Sequence, residues 1–330
     1  MANYSAVAGI FNHPNVLQDY FENALVNQIP LVWCLEGKPV ASNGMKPTAP
    51  KMVKEVDAGS RFEEPIMLVS NGNIKSYAKD AIFDMTTDNV GDRAYYDIKS
   101  IGGPIVMYGF DIDICGSNKT NLLNYQASLL EQAKTTMINS FATQYLKAIG
   151  TAGADDFASL YDIVSTSAGA TIGGISSTTY SNWDNTRATS TGSMATYLKS
   201  DLTNLIINAS YGQSNPKLIV TTKSIYSTLH GQLVSNQRYV PDTELAKAGF
   251  KAIEYDGLSV IFDGGATTGT ILGIDPDGLM LGKLKGTWMN LRPPVATPDA
   301  DVMSSFIKAR GNLIVKSRRS QFIGDGFTIA

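Results

Sequence analysis

Between Ser117 and Ile149 the chain contains neither proline nor glycine, so nothing in this stretch breaks a helix. Leu123, Ala127, Leu130, Met137, Phe141 and Ala148 recur at helical spacing, and Leu122, Ala133, Tyr145 and Ile149 widen the stripe. Gln126, Glu131, Lys134, Thr135, Asn139 and Gln144 fall on the opposite, polar face. Ser117 or Asn118 can cap the start, and Gly150 supplies a stop. At ~1.5 Å per residue the rod is about 50 Å long, more than a small domain is wide. A compact globule has little use for such a rod, whereas an extended subunit does.

Composition points the same way. Of 330 residues only 17 % are charged and 43 % are hydrophobic. The remainder is rich in uncharged polar residues and glycine, as in subunits that bury much of their surface against neighbours. A net charge of −3 argues against general nucleic-acid binding by the whole chain. Cys34 and Cys115 sit among apolar residues, which suits buried reduced thiols, and two cysteines exclude a disulfide framework. No apolar run reaches the ~18 residues of a membrane span, and the N-terminus lacks a basic-then-apolar signal. A cytoplasmic setting, or release from one, is expected.

Residues 1–58 read as an irregular arm. Val16 to Gln28 suits a short helix, and Pro39, Gly44, Pro47 and Pro50 favour extended chain lying on other protein. Strand patterns follow. Ile66-Met67-Leu68-Val69 runs into Asn71-Gly72, a strong hairpin signal, and Ala94 to Ile98 and Ile105 to Tyr108 come later. The polar middle holds Lys75, Lys79, Asp80, Asp84 and Asp88. Such a two-stranded arm has little core of its own and needs another surface. Beyond the long helix, a short helix is expected around Phe157, Leu160 and Ile163, then a Gly/Ser/Thr-rich stretch over 167–192. Helix (Met194 to Ala209), strand (Lys217 to Thr221), helix (Ser224 to Val234) and two strands (Leu258 to Phe262, Gly269 to Ile274) predict a mixed-sheet α/β or α+β unit. Ser305 to Phe322 is strand-like and packs back on the earlier chain.

No constellation of catalytic types emerges. His13 and His230 have no metal spacing to cysteine or carboxylate. Asp111 and Asp113 alternate as on a strand, and Asp155-Asp156 suits a helix start. Asp275-Pro276-Asp277-Gly278 matches a calcium loop for four residues only, so a turn is expected. Gly169 to Gly174 lacks the terminal Gly-Lys-Ser/Thr of a phosphate loop and reads as a hinge or a tight backbone approach. No Gly-x-Ser-x-Gly elbow occurs. The expectation is a chain that is not an enzyme, with no catalytic, cofactor-binding or metal-binding residue. Lys316-Ser317-Arg318-Arg319 is the densest basic patch. On a strand Lys316 and Arg318 face one way and Arg319 the other; ion pairing, or contact with packaged nucleic acid, suits them.

The order of these segments resembles the major capsid proteins of tailed bacteriophages, the Hong Kong 97 fold, along nearly the whole chain. Arg61-Phe62-Glu63-Glu64-Pro65 through Gly109 is similar to the family's extended loop, and Ser117 to Ile149 to its spine helix. Gly173-Gly174-Ile175, Tyr180 and Trp183-Asp184-Asn185 resemble the entry to the axial domain. Pro216 to Thr221, Tyr255 to Ile261 and Phe306 to Phe322 resemble its core strands and the C-terminal return. The resemblance implies an α+β Hong Kong 97-like capsid fold. Its parts are an N-terminal arm (1–58), an extended β-hairpin loop (59–110), a peripheral domain (111–166) with spine helix 117–149, an axial α/β domain (167–304) and a C-terminal return (305–330). The short N-terminal arm resembles members that use a separate scaffolding protein. Some members cross-link covalently; Lys75 or Lys79 stands near the loop tip, but no spacing here shows such a link.

The implied function is a shell protein that self-assembles as pentamers and hexamers into an icosahedral capsid around double-stranded DNA. It would be found in the virion and assemble in the host cytoplasm. Implied partners are the chain itself, portal, scaffolding and decoration proteins, and DNA bound without sequence specificity; no membrane is implied. Arg61, Glu63, Met67, Tyr95, Tyr96 and Ile98 are the expected inter-subunit contacts. Lys316, Arg318 and Arg319 are the expected DNA-facing or ion-pairing residues. Asn236–Gly249 or Lys285–Ala300 is expected to line the symmetry axis, and bending is expected at Gly72, Gly91, Gly102 and Gly103. The alternatives are a cargo-enclosing compartment of the same fold, or an enzyme with an unrecognised α/β site.

Overall fold

A computed structural model describes residues 52–328 apart from 70–71, 81, 83–90, 116–118, 166, 191, 213, 235–251 and 297–300, together with Phe21, Ala24, Leu25, Gln28, Ile29, Val32 and Leu35. The expected caps Ser117 and Asn118, the prolines of the arm, Cys34, His13 and the Asn236–Gly249 loop lie outside the described residues. The first half runs β1 (Val53–Val56), β2 (Arg61–Met67), β3 (Gly91–Asp97), β4 (Lys99–Tyr108), α1 (Gly109–Ile114), α2 (Lys119–Tyr145) and α3 (Leu160–Ile163). Next come β5 (Thr171–Ile172), β6 (Ile175–Ser176), β7 (Thr186–Thr189), α4 (Met194–Ala209), β8 (Leu218–Thr221) and α5 (Lys223–Val234). The chain closes with β9 (Ala252–Tyr255), β10 (Leu258–Phe262), β11 (Ile271–Ile274), β12 (Leu279–Leu284), β13 (Asn290–Leu291), β14 (Val295–Ala296), β15 (Val302–Val315) and β16 (Phe322–Asp325).

Two sheets organise these elements. In the first, β15 pairs with β12, β13, β14 and β4, and β1 adds to β12 in parallel. The β4–β15 ladder runs from Val302 opposite Tyr108 to Gly311 opposite Lys99. Residues 53–56, read as arm in the sequence, form a half-buried edge strand of this sheet. In the second sheet the order is β7-β16-β11-β8-β10-β9. Leu218, Ile219, Val220 and Thr221 of β8 are all buried because both faces are covered. One face receives Met194, Leu198, Leu202, Leu205 and Ala209 of α4, at helical spacing, with Ile225 and Leu229 of α5. The other face, through Leu218, Val220 and Leu272, joins the core of the first sheet and α2.

Helix α2 spans 27 residues, about 40 Å at ~1.5 Å rise. It ends earlier than the proline- and glycine-free stretch because Ser159 intervenes: its hydroxyl donates to the carbonyls of Lys147 (2.5 Å) and Tyr145 (3.4 Å). Phe141 anchors the helix, its ring 5.2 Å from that of Phe157 and 5.6 Å from that of Trp288. The stripe is rotated from the one expected near the N-terminal end. Leu122, Gln126 and Leu130 face inward, while Ala127 faces solvent. Gln126 is thus not on the polar face. It is 1 % exposed, and neither its amide nitrogen nor its amide oxygen finds a partner.

Asn71, in the expected hairpin signal, lies outside the described residues, and β2 pairs with β3 with Met67 opposite Gly91. Two further local readings change. Asp111 and Asp113 lie on α1 rather than a strand. Asp156 opens no helix; its carboxylate accepts from Gly153 N (2.7 Å) and pairs with Lys147 (2.5 Å), pinning the turn after α2.

Candidate functional site

Concave chemistry is sparse. Among the described residues no three His, Cys, Asp or Glu side chains gather closely enough to hold a metal ion. A groove of about 340 Å³ between β4 and α2 is lined by Ile101, Gly103, Ile105, Ala133, Met137 and Ile307 and contains no ionisable side chain. Asp275-Pro276-Asp277-Gly278 forms a turn in which the Asp275 carboxylate accepts from Asp277 N at 3.2 Å. Burial holds the Asp275 pKa above the usual carboxylate range, against the pull of the bond from Asp277 N. Gly169 to Gly174 is a tight approach: Gly173, at φ +62°, accepts from Tyr95 N (2.9 Å), and a Cβ on it would lie 2.8 Å from that of Ala94. No helix among the described residues is long and apolar enough to cross a membrane.

The β2–β3 ribbon sorts its own side chains by alternation. Phe62, Glu64 and Ile66 of β2, with Ala94 and Tyr96 of β3, face the core. Arg61, Glu63, Met67, Arg93 and Tyr95 face outward. Tyr96 is therefore corrected from an inter-subunit contact to a core residue. Its hydroxyl donates to Val315 O at 3.1 Å across the chain, and burial raises its pKa well above the phenol range. The one-residue offset from Tyr95 puts the two tyrosines on opposite faces. Ile98 is half-buried against the core, and its N–H donates to Ser60 O (3.0 Å). Arg61 pairs with Asp97 (2.7 Å) and Glu63 with Arg93 (3.1 Å), so both have partners within the ribbon.

Apolar exposure begins where the ribbon leaves the body. Met67 is 82 % exposed, Ile74 82 % and Ile82 94 %, with Val69 also at the surface. A folded chain rarely leaves so many branched and long apolar side chains in water on one segment without covering them in an assembly. Tyr95 adds a half-exposed aromatic ring on the outward face of the ribbon. Sequence reasoning missed a second apolar strip. On the outward face of the β4–β15 ladder stand Pro104, Val106 and Tyr108, opposite Phe306, Ser304 and Val302, and Val295 joins them opposite Ser304. The signal was present as alternation in β15, where Ser305, Ile307 and Ala309 are inward and Phe306 is not.

The basic segment divides against expectation. Arg318 is fully buried and is corrected from a DNA-facing or ion-pairing residue to a core hydrogen-bonding one. Its guanidinium donates to Ile163 O (3.0 Å), Trp183 O (3.0 Å) and Asn185 Oδ1 (2.8 Å). Burial pulls its pKa down to about 10, so it remains charged near neutrality. Lys316 and Arg319 are exposed. Arg319 stacks 3.7 Å over the Tyr211 ring and donates to Asn182 Oδ1 (3.2 Å). The Asn182 amide in turn donates to Leu68 O (3.2 Å), holding the point where the arm departs.

No protein-family model and no curated protein matches the sequence. Solved structures do resemble the fold. The chain of a cyanophage A-1(L) capsid asymmetric unit is similar over 91 % of this chain and 93 % of that one, with a TM-score of 0.60 at 14 % identity. The capsid of a native GTA particle is similar over 88 % and 95 %, at 0.55 and 12 % identity. A holo-SrpI encapsulin complex from Synechococcus elongatus is similar over 84 % and 86 %, at 0.52 and 11 % identity. This mixed α+β chain therefore shares its fold, over most of its length, with the chains of these phage capsid, GTA particle and encapsulin shells.

Proposed function

We propose that this chain is a major capsid protein that assembles as pentamers and hexamers into an icosahedral shell enclosing double-stranded DNA. The observation that carries the reading is the arm. Its root is built into the core, while Met67, Val69, Ile74 and Ile82 beyond it have no cover of their own. In a fold shared with shell-forming proteins, the neighbouring subunit supplies that cover. In this reading α2 is the rigid spine, the second sheet with α4 and α5 gathers copies around the symmetry axes, and the arm clamps the adjacent subunit. Asn236–Gly249 or Lys285–Ala300 is the loop that lines the axis in this reading. Portal, scaffolding and decoration proteins follow as partners, the virion as the location and the host cytoplasm as the place of assembly.

A cargo-enclosing compartment is the second reading, favoured by the likeness to the encapsulin complex. Expression of the full chain, electron microscopy of the purified material and assay of nuclease-protected DNA separate the readings. Closed shells of uniform size are expected, with DNA inside when the packaging partners are supplied. Shells that retain a protein cargo and exclude DNA would favour the compartment. A small soluble oligomer at all concentrations would overturn both.

A further inference from the structure

The arm leaves the body on two strands, and residues 171–183 hold both of them at the root. On the β3 side, Tyr95 N–H donates to Gly173 O at 2.9 Å. A Cβ on Gly173 would lie 2.8 Å from that of Ala94 and 3.0 Å from the Tyr96 ring, so this grip belongs to the core. On the β2 side, the Asn182 amide donates to Leu68 O at 3.2 Å. Leu68 is 4 % exposed and Val69 43 %, which puts this bond at the boundary between body and arm.

The second grip differs in kind, because side chains make it. Arg319 Nη1 donates to Asn182 Oδ1 at 3.2 Å. A guanidinium carries donors only, so it engages the oxygen of the amide and turns the amide NH2 toward the Leu68 carbonyl. Without Arg319, the terminal torsion of an exposed asparagine is broad and roughly two-fold, and either end of the amide can face that carbonyl. Arg319 is itself seated 3.7 Å over the Tyr211 ring. Tyr211 lies in a tight turn two residues beyond α4. Its N–H donates to Ser214 O (2.9 Å), and its carbonyl accepts from Ser214 N (3.0 Å). Tyr211, Arg319, Asn182 and Leu68 O therefore form one chain of contacts from the end of α4 to the arm root.

We propose that Arg319 and Asn182 are a latch that fixes the direction in which the arm leaves the body, with Tyr211 as its anchor. All three side chains are exposed, so the latch contributes little to the stability of the fold. Its output is the position of the arm relative to α4. The latch is a property of the isolated subunit. Only its consequence, that a directed arm is needed for shells of uniform size, rests on the shell reading.

The test uses the full chain, unassembled, with Cys34→Ser and Cys115→Ser and nitroxide spin labels at Ile74→Cys and Asn204→Cys. Both labelled positions are exposed, one on the arm and one on α4. Pulsed double electron–electron resonance gives the distribution of the label separation, which should be narrow in this parent. Arg319→Ala and Asn182→Asp should each broaden it by about twofold or more. Asn182→Asp is the discriminating variant, because its carboxylate pairs with Arg319 more strongly yet cannot donate to Leu68 O. Arg319→Lys, still a donor, should restore part of the narrowing. Thermal melts of all variants should superimpose on the parent. Distributions equally narrow in every variant, or already broad in the parent, overturn the latch. Broadening confined to variants that also melt earlier assigns these residues to the general fold and overturns it too. Electron microscopy of the unlabelled variants reads the consequence. Uniform shells from Arg319→Ala overturn the link to assembly. No shells from the unaltered chain overturns the shell reading, while the label distances still decide the latch.

Discussion

Arg318 donates through Nη2 to Asn185 Oδ1 at 2.8 Å, and this bond ties the turn between β15 and β16 to the entry of the second sheet. Asn185 is held from its other end, its amide donating to Ser165 O at 3.0 Å. With the further bonds from Arg318 to Ile163 O and Trp183 O, one buried cation satisfies three acceptors on two segments remote from it in sequence. Among the described residues it does so without a direct salt bridge, and the charge of Asp184 gives it electrostatic support.

Arg318→Met should therefore destabilise the subunit by about 3–5 kcal/mol, because it strands buried acceptors that water cannot reach. Arg318→Lys should recover only part of the loss, since an ammonium cannot span three divergent acceptors. Arg319→Ala should change stability by less than about 1 kcal/mol. Urea melts of the unassembled chain measure all three, and equal losses at 318 and 319 would contradict the burial difference.

Phe141→Ala should be destabilising by about 3–5 kcal/mol, leaving a cavity among Phe157, Tyr145 and Trp288. Gln126→Leu should do the opposite and leave the chain as stable or more stable, because the buried amide has no partner to lose. A Gln126→Leu variant less stable than wild type in a thermal melt would mean that this amide is bonded in solution.

Gly102 and Gly103 are adjacent on β4 yet should respond differently to alanine. A Cβ on Gly102 would fall 2.4 Å from Ile307 O, a backbone atom in the paired strand, so Gly102→Ala must prise the ladder apart. Gly103 has nothing within 4 Å of its added Cβ, and Gly103→Ala should be neutral within about 0.5 kcal/mol. Denaturant midpoints decide it; indistinguishable variants would mean the ladder opens freely at this point.

Asp156 makes a pH-dependent contribution of known sign. Its bonds from Lys147 and then from Gly153 N hold its pKa below the ordinary aspartate range, against some desolvation. A carboxylate depressed in the folded state contributes stability that is full above about pH 4 and is lost as pH falls through the folded value. Asp156→Asn should therefore be less stable than wild type near neutrality, and the gap should close as pH falls below the ordinary aspartate range. A gap independent of pH would assign the loss to the changed hydrogen bonds alone.

Deleting residues 70–90 and bridging Val69 to Gly91 with a short Gly-Ser linker should leave a cooperatively folding subunit that makes no shells. The cut spares Phe62, Ala94 and Tyr96, which are core residues. A longer cut from Pro65 to Pro104 removes Ala94, Tyr96 and half the β4–β15 ladder, and should unfold the chain. Sedimentation and electron microscopy report both outcomes; shells from the shorter deletion would show that the arm is not the clamp.

The sequence by itself determined the long helix, the two-stranded arm, the order of the α/β elements and the likeness to phage capsid proteins. These rest on local causes: an uninterrupted helical period, breakers at segment ends, and runs of branched apolar residues. Tertiary structure decided which side of each element faces inward. Tyr95 and Tyr96 are equivalent as sequence, and only the pairing of β3 against β2 and the core turns the second one in. Gln126 is polar, but Leu122 and Leu130 lie one turn to either side, and their burial carries it inward. Arg318 looked like half of a surface patch because its acceptors, at Ile163, Trp183 and Asn185, lie more than a hundred residues away in the chain. Only the closed fold brings those acceptors to one point, and a charge can be buried there because each of them is satisfied by it.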